Sequence, residues 1–202
     1  AAEAVIEEMC AEYFNSNYEI RSVLRTLFNS EYFKSESARF SRVKGPVEFV
    51  VGIIRLAGSY RLPTLGVEDL AKQVLYMGQG LLQPPTVEGW HEGQEWIDSG
   101  SLLRRINFVA DRLGDTSLPG VQSIIDELGS RGDMEPDDFV ESCLDILGAL
   151  QVQDETRQQL IEHVKAGGTI HRGSSETDIQ AFGQRVAEVL QLIASTREFQ
   201  FG

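Results

Sequence analysis

Residues 46–56 read Pro-Val-Glu-Phe-Val-Val-Gly-Ile-Ile-Arg-Leu, and a glycine, Gly58, follows two positions later. Proline is favoured in the first turn of a helix, where its missing N–H costs no hydrogen bond, and glycine is favoured just beyond the last turn. Between these two residues the segment is apolar on nearly every side, which is typical of a helix buried inside a domain. The stretch therefore predicts a central helix against which other elements pack.

The segments on either side of this helix also have the helical period. In residues 20–28 the apolar side chains recur at positions i, i+3, i+4, i+7 and i+8, with Arg21 and Arg25 outside the stripe, so we expect a helix whose stripe faces a core. No convincing period-2 strand occurs, so we predict an all-α chain, a multi-helix orthogonal bundle. Further helices are predicted over residues 67–77, 99–113, 121–128, 136–150, 154–166 and 175–193, with Ser99, Asp154 and Ser175 as caps.

The charges along the chain are unevenly distributed. Residues 115–162 contain 12 acidic side chains and two arginines, whereas residues 20–61 contain eight basic and three acidic side chains. The acidic stretch is also rich in glycine, which differs from the sequence on both sides of it. We therefore predict an inserted acidic helical subdomain at residues 113–173, within a main helical domain made of residues 1–112 and 174–202.

Length and net charge exclude some classes of protein. The chain has 202 residues and a formal net charge of -13, which argues against nucleic-acid binding because that function requires a basic surface. No apolar run approaches the roughly 20 residues of a membrane-spanning helix. The sequence begins Ala-Ala-Glu without a methionine, so we expect a piece of a longer protein whose localisation cannot be read from this end.

Cysteines and histidines give no sign of a metal or cofactor site. Cys10 and Cys143 allow one disulfide at most; Cys143 falls on an apolar helical stripe, which favours a buried thiol and leaves a bridge to Cys10 as the alternative. The three histidines, His91, His163 and His171, have no metal-ligand spacing, and no glycine-rich nucleotide loop is present. We predict no metal and no cofactor.

Both tryptophans lie in a loop that is rich in proline and glycine, within residues 83–98. The prolines fix φ and the glycines permit backbone that other residues resist, so the loop should be stiff. Three hypotheses remain open: a structural clamp with packed indoles, a ligand-binding loop, and a glycan-directed hydrolase that uses two carboxylates. The candidate binding residues are Trp90, His91, Glu92, Glu95, Trp96 and Asp98, and the hydrolase would draw its carboxylates from Glu88, Glu92, Glu95 and Asp98.

The basic stretch supplies a second candidate contact surface. Arg39, Arg42 and Lys44 could dock an anionic partner, although a solvated face explains the same charges.

An ordered series of motifs resembles the bacterial domain-of-unknown-function family 1800. The motifs are Leu27–Phe33, Arg42–Val51 with Arg55, Met77–Gln79, Pro84–Pro85, Gly89–Trp90, Gly93, Trp96–Ile97, Leu102–Phe108 and Ser195–Gln200. The resemblance is to the C-terminal half of that family's large proteins, with Thr86 where asparagine is usual. It implies a helical fold, a frequently exported precursor and a genomic companion that looks like a hydrolase of the alkaline-phosphatase type. It implies no established activity.

These features together favour a non-catalytic helical module that binds a partner protein or an envelope or extracellular glycan. The carboxylate hydrolase is the first alternative. The second is a purely structural C-terminal half that completes the core of the N-terminal half of its own precursor, and it predicts an exposed apolar patch.

Overall fold

The computed structural model describes residues 2–38, 41–60, 62, 65–148, 150–168 and 170–201. Over these residues the chain is 68% helical, with ten α-helices and no strand, so the all-α prediction is confirmed. The contacts divide the chain after Arg42 into a first unit and a second unit, Val43–Phe201.

The first unit is a helical hairpin followed by a short helix. Its helices are α1 (Ala2–Asn15), α2 (Ile20–Asn29) and α3 (Glu31–Lys34), with a 3₁₀ turn at Glu36–Ala38. Helix α1 packs against α2, and the turn between them has Asn17 and Tyr18 in the left-handed region. Helix α2 was predicted, but the expectation that its whole stripe faces a core was wrong. Ile20, Leu24 and Phe28 are exposed, so this part of the stripe is not packed in a core.

The second unit contains the hydrophobic core. Helix α10 packs against α6, α7, α8 and α9, and α4 packs against α5, α6 and α7. The predicted central helix α4 is therefore confirmed as a core helix. Helix α10 packs against more of the other helices than α4 does. The helices are α4 (Pro46–Ala57), α5 (Val67–Tyr76), α6 (Ser99–Leu113), α7 (Pro119–Ser130), α8 (Pro136–Ile146), α9 (Asp154–Ala166) and α10 (Glu176–Ser195), with 3₁₀ turns at Gly93–Ile97 and Glu198–Gln200.

Helix α4 ends where the sequence predicted. Gly58 follows its last turn with φ of 70°, a left-handed conformation that glycine adopts without strain. A Cβ at Gly58 would lie 2.6 Å from the backbone nitrogen of Gly120, so two glycines let the end of α4 meet the start of α7.

Two predicted helix caps were displaced by one residue. The N-cap of α6 is Asp98, whose carboxylate accepts a hydrogen bond from Ser101 N at 2.8 Å, and Ser99 is the first helical residue. The N-cap of α9 is Gln153, which makes no capping bond, and Asp154 begins the helix. The cap predicted at Ser175 is correct, because its hydroxyl accepts from Asp178 N at 3.1 Å.

The predicted subdomain 113–173 stays a prediction. Its helices α7, α8 and α9 all pack against α10, which lies outside that interval.

Both cysteines are free thiols. Cys10 is exposed, whereas Cys143 is buried, as its stripe position predicted, and burial raises the pKa of Cys143 to about 12. No described helix is both long enough and apolar enough to cross a membrane.

Candidate functional site at the tryptophan loop

We define the tryptophan loop as residues 80–98, which connect α5 to α6. Its tip is a turn at residues 86–89, where Gly89 N donates to Thr86 O at 3.2 Å and Glu88 N donates to the Thr86 hydroxyl at 3.2 Å. Gly89 has φ of 108°, a conformation that favours glycine. The turn is therefore held by its own backbone.

Both indoles point inward and hold the loop in place. Trp90 is half-buried, and its Nε1 donates to Gly80 O at 3.0 Å, which closes the base of the loop. Trp96 is only 9% exposed and packs on Gly45, where a Cβ would lie 3.0 Å from indole Cζ3. The Trp96 carbonyl accepts the Ser101 hydroxyl at 2.9 Å, which ties the loop to α6.

The polar candidates of the loop do not form one constellation. His91 Nδ1 lies 2.8 Å from Glu95 Oε2 in an exposed pair, and Glu92 is exposed beside it. Asp98 caps α6, and the hydrogen bond from Ser101 N–H holds the pKa of its carboxyl below the usual value. Two of the four carboxylates considered for hydrolysis, Glu95 and Asp98, are thus already engaged with other groups.

The basic candidates have different roles. Lys44 is a structural residue: its Nζ donates to Phe199 O at 2.8 Å and lies 4.3 Å from the centre of the Phe199 ring. Arg42 is exposed and has an interaction partner, and Arg39 lies outside the described residues.

Sequence reasoning missed a buried polar cluster beneath the loop. Arg105 is fully buried; its Nη2 donates to Lys44 O at 2.7 Å and its Nη1 donates to Gln200 Oε1 at 3.2 Å. Its guanidinium also lies 4.9 Å from the centre of the Phe49 ring. Burial lowers the pKa of Arg105 to about 10, so the side chain stays charged at neutral pH.

The remaining members of this cluster tie other segments to it. Gln200 Nε2 donates to Ala194 O at 3.0 Å, so one side chain joins Arg105 to the end of α10. Gln79 Oε1 accepts from Val47 N at 2.9 Å, which satisfies one of the unpaired donors of the first turn of α4. Arg105 and Gln200 therefore join α6 to the segments that flank α4 and α10, and Gln79 joins the segment after α5 to the start of α4.

One sequence signal could have revealed Arg105. The buried positions of α6 are residues 101, 105, 108, 109 and 113, which have the helical spacing. Leu103 and Ala110 are apolar but exposed, so apolar residues alone do not mark the core side of α6. Arg105 lies at the centre of these helically spaced core positions, and that spacing is the signal that could have predicted its burial.

The fold and the loop define an all-α protein with a stiff, irregular connection packed against its core. The chain matches the model of the family described as "Protein of unknown function (DUF1800)" over residues 1–201, and it belongs to that family. The family resemblance drawn from the motifs is thus confirmed, whereas the finer expectation of a C-terminal half stays a prediction. The chain matches no curated protein and no solved structure at a significant level.

Proposed function

We propose that this chain is a non-catalytic docking module whose tryptophan loop binds a partner protein. The observation that carries the proposal is Leu82, which is 94% exposed and has φ of 59°. A leucine in the left-handed region is strained, and such strain persists only where the surrounding structure holds it. Leu82 lies in a turn that Gln83 N closes by donating to Gly80 O at 3.2 Å, and Trp90 Nε1 donates to the same oxygen, so the loop presents Leu82 on a fixed backbone.

The chemistry of the loop surface defines the kind of partner. Val87 is fully exposed and Leu81 is half-exposed, so the loop has three exposed apolar side chains including Leu82. Glu88 and Glu92 are also exposed on this loop. Apolar anchors beside acidic residues fit a protein surface that has an apolar pocket bordered by lysine or arginine.

A glycan ligand is supported less well. A sugar ring usually stacks on an exposed aromatic face, and Trp96 is buried while Trp90 uses its Nε1 within the loop. The hydrolase alternative would need two converging carboxylates, and Glu95 and Asp98 have other partners. A cavity of about 570 Å³ lies away from the tryptophan loop, between α7 and α10.

Site-specific photo-crosslinking tests the proposal. A benzophenone amino acid is placed at Leu82 or Val87 of the chain in its native cells, and at Leu192 of α10 as a control on a partly exposed apolar residue. We expect one discrete cross-linked protein from the two loop positions and none from Leu192. Equal cross-linking at all three positions, or none at the loop, overturns the proposal.

Direct binding of the protein identified in this way completes the test. The double variant Leu82→Ser/Val87→Ser should weaken binding by about tenfold or more and leave the melting temperature unchanged, because both side chains are solvent-exposed. Unchanged affinity of this variant contradicts a docking role for the loop.

Substitution of Trp96 should have the opposite effect to the serine variants, because it should reduce stability. Trp96→Ala removes a buried indole and should lower the free energy of unfolding by about 3–5 kcal/mol, measured by denaturant titration. Its loss of binding should follow its loss of folding, whereas the serine variants should lose binding alone. A Trp96→Ala variant as stable as the wild type would contradict the inward clamp.

A further inference from the structure

A second cavity lies at the C-terminal end of α4. Its volume is about 440 Å³, which is in the range of small-molecule sites. It is lined by Val51, Ile54, Arg55, Gly58, Ser59 and Tyr60. The tryptophan loop contributes no residue to this lining, so the cavity is separate from the proposed docking surface.

The charge of Arg55 is not neutralised within the described residues. The Arg55 side chain is exposed and has neither an ion pair nor a hydrogen bond to another described residue. Two carbonyls at this helix end already have partners, since Gly58 N donates to Arg55 O at 3.2 Å and Ser59 N donates to Ile54 O at 3.1 Å. These bonds reduce the repulsion that an anion meets at the negative end of a helix. The guanidinium donors of Arg55 thus remain available at the cavity.

The hydroxyl of Ser59 also has unused hydrogen-bonding capacity. Ser59 Oγ is buried and has no hydrogen-bond partner among the described residues. An unpaired buried hydroxyl costs stability, and rotation about the single χ1 bond of serine can turn this group toward the cavity. A ligand oxygen that accepts from Ser59 therefore recovers part of that cost.

Tyr60 has a strained backbone at the wall of the cavity. Its φ is 55°, in the left-handed region where tyrosine is uncommon. Such strain is concentrated at binding sites, because it persists only where the surrounding structure holds it. The guanidinium of Arg112 lies 5.8 Å from the centre of the Tyr60 ring, and this contact keeps the ring in place.

We propose that this cavity binds a small molecule that carries a carboxylate or phosphate group beside an apolar group. Arg55 binds the anionic oxygens, because a guanidinium donates two parallel hydrogen bonds to such groups, and Ser59 donates a third. Val51 and Ile54 contact the apolar part of the ligand. The chain has a formal net charge of -13, so Arg55 supplies the local positive charge that attracts an anion to this site.

NMR titration of the full chain with three matched probes tests the site. Benzoate, phenyl phosphate and benzamide share one ring and differ in the charged group. We expect benzoate, phenyl phosphate or both to shift the methyl signals of Ile54 in a saturable way, and the tighter anion identifies the group that the site prefers. Neutral benzamide should bind about tenfold or more weakly than that anion, because hydrogen bonds to charged groups are the stronger ones.

Two variants of the cavity and one matched control locate the binding. Arg55→Gln should weaken binding of the preferred anion by about tenfold or more, and Val51→Glu should do the same by placing a negative charge at the cavity. Both positions are exposed, so circular dichroism should show unchanged helix content. The control is Arg104→Gln, on an exposed arginine of α6 outside the lining, and it should bind as the wild type does.

Three results would overturn the proposal. The first is the absence of saturable shifts with both anions. The second is binding of benzamide as tight as that of the preferred anion. The third is an affinity that Arg55→Gln leaves unchanged or lowers no more than Arg104→Gln does.

Discussion

Arg105 shows how one buried residue joins several segments of the core. It lies on the core side of α6 without exposure, and it donates to Lys44 O and Gln200 Oε1. A buried charge is tolerated only where its hydrogen bonds compensate for lost hydration. The contacts of Arg105 therefore act as a polar anchor inside an otherwise apolar helix interface.

Arg105→Ala should lower the free energy of unfolding by about 3 kcal/mol or more, because it removes two buried hydrogen bonds and opens a cavity. Arg104→Ala is the matched control on the same helix: Arg104 is exposed and stacks on Tyr76 at 4.8 Å, an interaction of about 0.5–1 kcal/mol. Urea unfolding of both variants measures the difference. Equal losses would show that Arg105 is not an anchor.

His171 should titrate above its ordinary range. Its Nδ1 bonds to a carboxylate oxygen of Asp133, and that hydrogen bond together with the negative charge of Asp133 raises the pKa of His171. A raised folded-state pKa gives stabilisation that is complete below the unfolded pKa of about 6.5 and is lost as pH rises through the folded pKa. NMR titration should show the His171 pKa falling in Asp133→Asn. An unchanged titration curve in that variant would exclude the pairing.

At the scale of the secondary-structure element, a single substitution at a helix end can alter stability. Ser175 caps α10, the longest helix in the described chain, with its hydroxyl accepting from Asp178 N. Ser175→Ala should cost about 1 kcal/mol, and Ser175→Asn should retain most of that stability, because asparagine is also a good cap. Ser174→Ala, one residue outside the cap, should change stability by less than about 0.5 kcal/mol in the same thermal unfolding experiment. A Ser174 effect as large as that of Ser175 would contradict the cap.

The sequence predicts those helices that have clear ends. Pro46 and Gly58 enclose α4, and Ser175 begins α10, so local chemistry determines these boundaries. Helix α1 was not predicted, because it has neither a proline nor a glycine boundary and most of its apolar residues remain exposed. Where packing does not select a face, periodicity alone is a weak signal.

The exposure of residues in the tryptophan loop was less predictable than the helices, because it also depends on packing. The stiffness of the tryptophan loop follows from its prolines and glycines, but the packing of the Trp96 indole depends on Gly45, 51 residues before it in the sequence. The left-handed backbone of Leu82 is likewise not a preference of leucine; Leu82 lies in a turn where Gln83 N and Trp90 Nε1 both donate to Gly80 O. Long-range contacts decide which residues of the loop are exposed.

At the scale of the whole molecule, the hydrophobic core belongs to the second unit. Within the described residues, Val5 is the only buried apolar residue of the first unit, and all other buried apolar residues lie between Val43 and Phe199. The second unit also contains its own polar anchor at Arg105 and the tryptophan loop. A unit with its own core is expected to fold alone.

We therefore expect residues 43–201 to unfold in one cooperative transition, with equal calorimetric and van't Hoff enthalpies in differential scanning calorimetry. Residues 2–42 alone should be only marginally helical, because short helices without a buried core are barely stable in water. A truncated chain starting at residue 49 provides the control, since it lacks Lys44, whose carbonyl accepts from Arg105, and Gly45, on which Trp96 packs. If residues 43–201 melt without cooperativity while the full chain melts sharply, the core requires the first unit and the division after Arg42 does not mark an independent folding unit.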